Sequence, residues 1–205
     1  MIPELGQLAL VLALLVATVQ GVVPLVGAAR RDATLMAFAR PAAITQFALV
    51  ALAFGCLAAS FLLSDFSVAN VAQNSFSALP APYKLAASWG SHEGSLLLWA
   101  LMLGGWSCAV ALRSKNLPAP MLARVLAVMG LVAVGFLLFL LLTSNPFERL
   151  VPAAAEGRDL NPLLQDPGMV LHPPLLYMGY VGFSVAFAFS IAALLGGRLD
   201  ATWAR

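Results

Sequence analysis

The chain of 205 residues is 61% hydrophobic and only 10% charged, with a formal net charge of +2 and a mean hydropathy of +0.93. That balance excludes an ordinary soluble domain and is the balance of a membrane-spanning protein; no nucleic acid is expected as a partner. Five apolar stretches, near 5–29, 41–64, 94–112, 121–143 and 174–196, reach the ~20 helical residues that a bilayer core requires. A membrane β-barrel would instead alternate over segments of about ten residues. The expected fold class is all-α: a polytopic helical membrane protein with about five transmembrane helices and two long outer-face loops, 65–93 and 144–173.

The first stretch opens Met1-Ile2-Pro3-Glu4, with no basic side chain, and its apolar run is too long for a signal peptide. It reads as an uncleaved first helix. Basic residues are unevenly placed. Arg30, Arg31, Arg40, Arg113, Lys115, Arg124, Arg198 and Arg205 fall on one side of the predicted spans, against Lys84, Arg149 and Arg158 on the other. The positive-inside rule puts the first set in the cytoplasm. The N-terminus and both long loops are then expected outside, the C-terminus inside. Cys56 and Cys108 both fall within spans at different predicted depths, which reads as apolar packing and not as a disulfide.

No Asp, Glu, Lys, Arg or His lies deep in any of the five spans. Ion- and proton-coupled transporters carry such groups at depth. Attention therefore shifts to the outer face, where three stretches bear chemistry. In DPGMVLHPPLLYMGY, His172 stands ahead of Pro173-Pro174, which are expected to open the last helix and to hold His172 extended at its mouth. An imidazole so held binds a metal centre through one nitrogen while a neighbour fixes the other. In WGSHEGSLLLW, His92 and Glu93 meet at the mouth of the third helix, with Trp89 and Trp99 ten residues apart. One reading is an interfacial aromatic anchor with a helix cap. The other is a polar pocket in which Glu93 orients His92. In GRDLNPLLQDPG, Arg158, Asp159 and Asp166 cluster, either as internal ion pairs or with Arg158 free to grip a carboxylate such as a haem propionate.

The stretches WGSHEGSLLLW, FLLFLLLTSNPFERL, EGRDLNPLLQDPGMVLHPPLLYMGYVGFSVAFAFSIAALL and GGRLDATWAR, with the opening MIPELGQLALVLAL, resemble the N-terminal part of the CcmF family. These are haem lyase subunits of bacterial cytochrome c maturation, and the family includes the related nitrite-reductase assembly lyase. The resemblance runs through the whole chain in order. It implies that haem arrives from a membrane-tethered haem chaperone and is joined by thioether bonds to the CxxCH motif of apocytochrome c on the outer face. Thiol-handling maturation subunits are implied as further partners and quinol as an electron source, with the protein in the bacterial inner membrane. Family members handle haem at a Trp-rich loop flanked by two outer histidines, and hold a second haem b between transmembrane histidines. His172 matches the first outer histidine, so it is the expected axial ligand to haem iron. His92, Glu93, Trp89 and Arg158 are further candidates for contact with the cofactor.

Nothing like the family's Trp-rich segment WGGWWFWDP occurs in the chain. The remaining haem b ligands are accordingly expected outside it, in the rest of a longer or split lyase. Cytochrome c synthase activity is expected of that whole and not of this stretch alone. The competing readings are a non-catalytic scaffold subunit of the maturation complex and a haem transporter.

Overall fold

The computed structural model describes residues 1–197. Arg198 and Arg205 of the charge argument, and most of the GGRLDATWAR motif, lie outside the described residues.

Helix α1 (Ile2–Arg30) starts with Pro3 in its first turn, where a missing N–H costs nothing, and closes at Arg31, whose left-handed φ of 58° returns its N–H to the last turn. The Asp32 carboxylate then caps the short α2 (Ala33–Ala37), accepting from the N–H groups of Thr34 and Leu35, and α3 (Ala39–Leu62) follows almost directly. Beyond it come two short helices, α4 (Ala69–Asn74) and α5 (Ala81–Gly90). Three long helices follow: α6 (His92–Arg113), α7 (Ala119–Leu142) and α8 (Pro167–Gly196). Among the described residues five helical segments are long and apolar enough to cross a membrane, matching the expected five. Among the described residues there is no β-strand, only one antiparallel bridge between Val68 and Arg149.

Side-chain contacts fix an up-and-down bundle. At one end, called here the loop end, Glu4 pairs with Arg149, Lys84 with Ser64, and His92 with Ser144. At the other end the Arg40 guanidinium donates to the carbonyls of Ala111 and Ser114, satisfying the last turn of α6 where the helix dipole favours a cation. α1 packs most extensively on α3 and α7, α3 also on α6, and α8 lies against α7 and α6.

Small residues set how closely these helices approach. Ala9, Ala13, Ala17 and Gly21 recur every four residues along one buried face of α1. In a bilayer, association rests on close backbone packing, which such a stripe permits. Gly130 of α7 meets the backbone of α1 directly. A Cβ there would lie 2.9 Å from the Gly21 nitrogen and 3.1 Å from the Ala17 carbonyl. Beside it the buried Gln20 amide donates to Ser107 Oγ at 3.0 Å and to the Leu126 carbonyl at 2.8 Å, tying α1 to α6 and α7. Cys56 and Cys108 are buried and free, as expected.

The two long loops are more structured than their length suggested. Residues 65–93 contain α4, α5 and the first residues of α6, and 144–173 contain a 3-10 turn (Pro162–Gln165) and the first residues of α8. They are stitched together by backbone bonds from Ala69 to Glu148, from Leu150 to Ser67 and from Arg158 to Ala72, each 2.8 Å. The buried Lys84 ammonium donates to Ser64 Oγ at 2.7 Å and the Ser77 carbonyl at 2.9 Å. Glu156 accepts from the backbone N–H and the hydroxyl of Ser77. Val68, Val71, Leu79, Phe147 and Leu160 join the apolar core beneath, so this end is a packed cap.

Candidate functional site

The last helix begins earlier than its sequence suggested, and this changes the setting of His172. The Asp166 carboxylate accepts from the N–H groups of Gly168 (2.8 Å) and Met169 (3.2 Å), and Pro167 occupies the first turn. Asp-Pro-Gly, read from sequence as a loop turn, is a helix N-terminus with an acidic cap. His172 is therefore not extended ahead of the helix. It lies within α8, and Pro173-Pro174 are interior to the helix instead of opening it. An interior proline supplies no N–H to the carbonyl four residues back. Pro173 and Pro174 thus deprive the Met169 and Val170 carbonyls of their usual donors. Membrane helices accommodate this when neighbouring side chains satisfy the freed groups.

Tryptophans from α5 and α6 grip this helix. Trp89 Nε1 donates to the Val170 carbonyl at 3.3 Å. Trp99 stacks on Tyr177 with ring centroids 5.8 Å apart and meets Tyr180 edge-on at 5.7 Å. Trp106 Nε1 donates to the Met178 carbonyl at 3.1 Å. The two tryptophans of the WGSHEGSLLLW stretch thus hold α8, a role that interfacial anchoring did not anticipate. The imidazole of His172 is exposed, and no described residue hydrogen-bonds either ring nitrogen. The neighbour expected to fix its second nitrogen is not found. Leu171, Leu175 and Leu176 beside it are exposed as well, giving the histidine an apolar border.

His92 is placed differently. Ser91 caps α6, its hydroxyl accepting from the Gly94 N–H at 3.0 Å, and His92 is the first helical residue. Gly94 is required here, because any side chain would collide with the Ser88 carbonyl at the tight corner between α5 and α6. The Ser144 hydroxyl lies 3.3 Å from His92 Nδ1, and Phe139 meets the ring edge-on at 6.2 Å. Ser144, not Glu93, orients His92: the Glu93 carboxylate sits in the first turn of α6 and makes no ion pair among the described residues. Ser144 was missed because its only signal was a polar residue just past the end of an apolar run.

The Arg158, Asp159 and Asp166 cluster does not form ion pairs among the described residues. Asp166 is spent on its cap, and Arg158, held through its backbone, leaves an exposed guanidinium. The hydrogen bonds from Ser77 and Gly157 hold Glu156 below the ordinary glutamate value. Among the described residues no three His, Cys, Asp or Glu side chains come together as a metal-binding group. The loop end thus offers two single imidazoles, both exposed: His172 is unbonded, and His92 is engaged by a hydroxyl.

Comparison with known proteins defines the relationship. The profile of the cytochrome C assembly protein family matches residues 89–202, a span containing both histidines. The chain is 68% identical over 206 aligned residues to the cytochrome c-type biogenesis protein CcmF of Pseudomonas aeruginosa, covering all of this chain and 31% of that protein. It is 59% identical to CcmF of Escherichia coli (strain K12), again over all of the chain and 32% of the relative. The probable cytochrome c-type biogenesis protein NrfE of the same organism is 52% identical over 79% of the chain and 29% of its own length. A solved structure of the cytochrome c heme lyase CcmF superposes with a TM-score of 0.86 at 29% identity, covering 99% of this chain and 32% of that one. The chain spans about a third of the length of the curated relatives it matches. With more than half of its residues matched by the family profile, this multi-helix membrane chain belongs to the cytochrome C assembly protein family.

Proposed function

We propose that this chain is the N-terminal transmembrane part of a longer haem lyase that presents haem for thioether attachment to the CxxCH motif of apocytochrome c, with His172 as an axial ligand to the iron. The observation that carries the reading is the state of His172: an exposed, unbonded imidazole on a helix held by tryptophans, inside the span matched by the family. A neutral imidazole is a good iron ligand. No internal hydrogen bond must be broken before His172 can bind. Leu171, Leu175 and Leu176 offer apolar surface to the flat ring of the substrate, and Arg158 offers a guanidinium suited to a propionate.

Haem comes from a membrane-tethered chaperone and leaves bound to apocytochrome c, with thiol-handling subunits keeping the receiving cysteines reduced. Quinol supplies the electron that keeps the iron ferrous. The second axial ligand and the ligands of a haem b come from beyond these residues. The chain sits in the bacterial inner membrane, its loop end in the periplasm.

In cells carrying the full-length lyase, His172→Ala should reduce covalent cytochrome c to a few per cent or less while the lyase stays in the membrane. His172→Gly with added imidazole should recover part of the product, because the free ligand can refill the vacated position. His92→Ala is the control. If it has the larger effect while His172→Ala matures cytochrome c normally, the ligand assignment is wrong and the site must be rebuilt around Ser144 and His92.

A further inference from the structure

The proline pair of α8 and the tryptophan of α5 form one device. Pro174 has no N–H to return to the Val170 carbonyl, which is left without its helical donor in the half-buried first turn of α8. Trp89 Nε1 reaches that carbonyl from a different helix. The reach is fixed from behind: Leu160 and Leu164 border Gly90, so the end of α5 is lodged against the segment that leads into α8. Val170 is two residues before His172. We propose that Trp89 is a positioning residue for His172: its indole N–H replaces the bond Pro174 removes, and so sets the direction in which the first turns of α8 present the imidazole. Trp89 then acts through the backbone and not by touching haem, contrary to its reading as a cofactor contact. The physical consequence is specific. A helix whose carbonyl is released by proline is free to bend at that point, and a donor fixed on a neighbouring helix selects one bend.

This inference rests on His172 being the ligand, and its test separates the two. Trp89→Phe keeps an aromatic ring and removes only the N–H. In the full-length lyase it should lower the yield of covalent cytochrome c roughly fivefold, the size of one net hydrogen bond. Pro174→Ala regains a helical N–H for Val170, so in that background Trp89→Phe should cost less than about twofold. In His172→Gly rescued with imidazole the ligand is no longer tethered to α8, and adding Trp89→Phe should cost nothing further. A purely structural tryptophan, or one in contact with haem, would cost the same in all three backgrounds, and that result would overturn the proposal. If Trp89→Phe instead depletes the lyase from the membrane, return of both protein and product in Trp89→Phe with Pro174→Ala supports it, and no return overturns it. Trp89→Phe neutral with His172→Ala inactive sinks the positioning role alone. His172→Ala active sinks the ligand reading on which it stands.

Discussion

Glu156 illustrates how single residues hold the loop end together. Its carboxylate bonds Ser77 through both the backbone N–H and the hydroxyl, joining the two long connections of the chain. Those bonds favour the ionised form, so its folded value lies below the ordinary 4.5. A carboxylate with a depressed folded value contributes stability above the unfolded value and loses it as pH falls through the folded one. The clasp should therefore be fully formed at neutral pH and should loosen below about pH 4.5. Hydrogen exchange at the Ser77 amide, measured against a neighbouring loop amide between pH 3 and 7, should show protection falling at the acid end. Glu156→Gln should remove that pH dependence; a wild-type profile that matches the variant would refute the assignment. At this scale the sequence exposed His172 and His92 because histidine is rare in the chain. It concealed their surroundings: Ser144 comes from the end of α7, 52 residues along the chain from His92.

Helices are held by close approach. Gly130 faces the backbone of α1, so neither Gly21 nor Ala17 can yield by a simple rotamer change. Gly130→Val should destabilise the bundle by about 1–3 kcal/mol, the usual cost of overpacking. The same substitution at Gly135, where an added Cβ meets nothing within 4 Å, is the control and should be near neutral. Thermal unfolding in detergent, followed by helical circular dichroism, distinguishes them; equal losses at the two sites would mean that contact with α1 is not what matters. Span positions were legible from apolar length alone, with α1, α3, α6 and α7 starting and ending within three residues of the expected boundaries. The start of α8 was not. The proline pair pointed to residue 174, whereas Asp166 caps a helix that begins at Pro167 and carries both prolines inside it. Proline marks a helix start by preference only, and an acidic cap with neighbouring donors overrides it.

For the whole molecule, the up-and-down arrangement places the loop end of every span on one side of the bilayer. The proposed orientation, loop end outward, rests on the excess of basic residues at the other end, Arg30, Arg31, Arg40, Arg113, Lys115 and Arg124 among the described ones. Alkaline phosphatase, active only outside the cytoplasm, should be active when fused at Ala78 or Ala155 in the loop end and inactive at Ser114. High activity at Ser114 would invert the orientation and remove His172 from the periplasmic face.

Composition and apolar run length by themselves determined a membrane chain with five spanning helices among the described residues, because a bilayer core imposes a length that few other constraints mimic. The long motifs determined its family. What only the tertiary structure decided is which polar groups find each other. Trp89 meets the Val170 carbonyl, Ser144 meets His92, and Gln20 meets Ser107, each across more than 50 residues of chain. Periodicity reports only the face of a helix that is apolar. The partner of a freed carbonyl or a buried amide depends on which helices pack side by side, and that follows from small residues and loop contacts acting together.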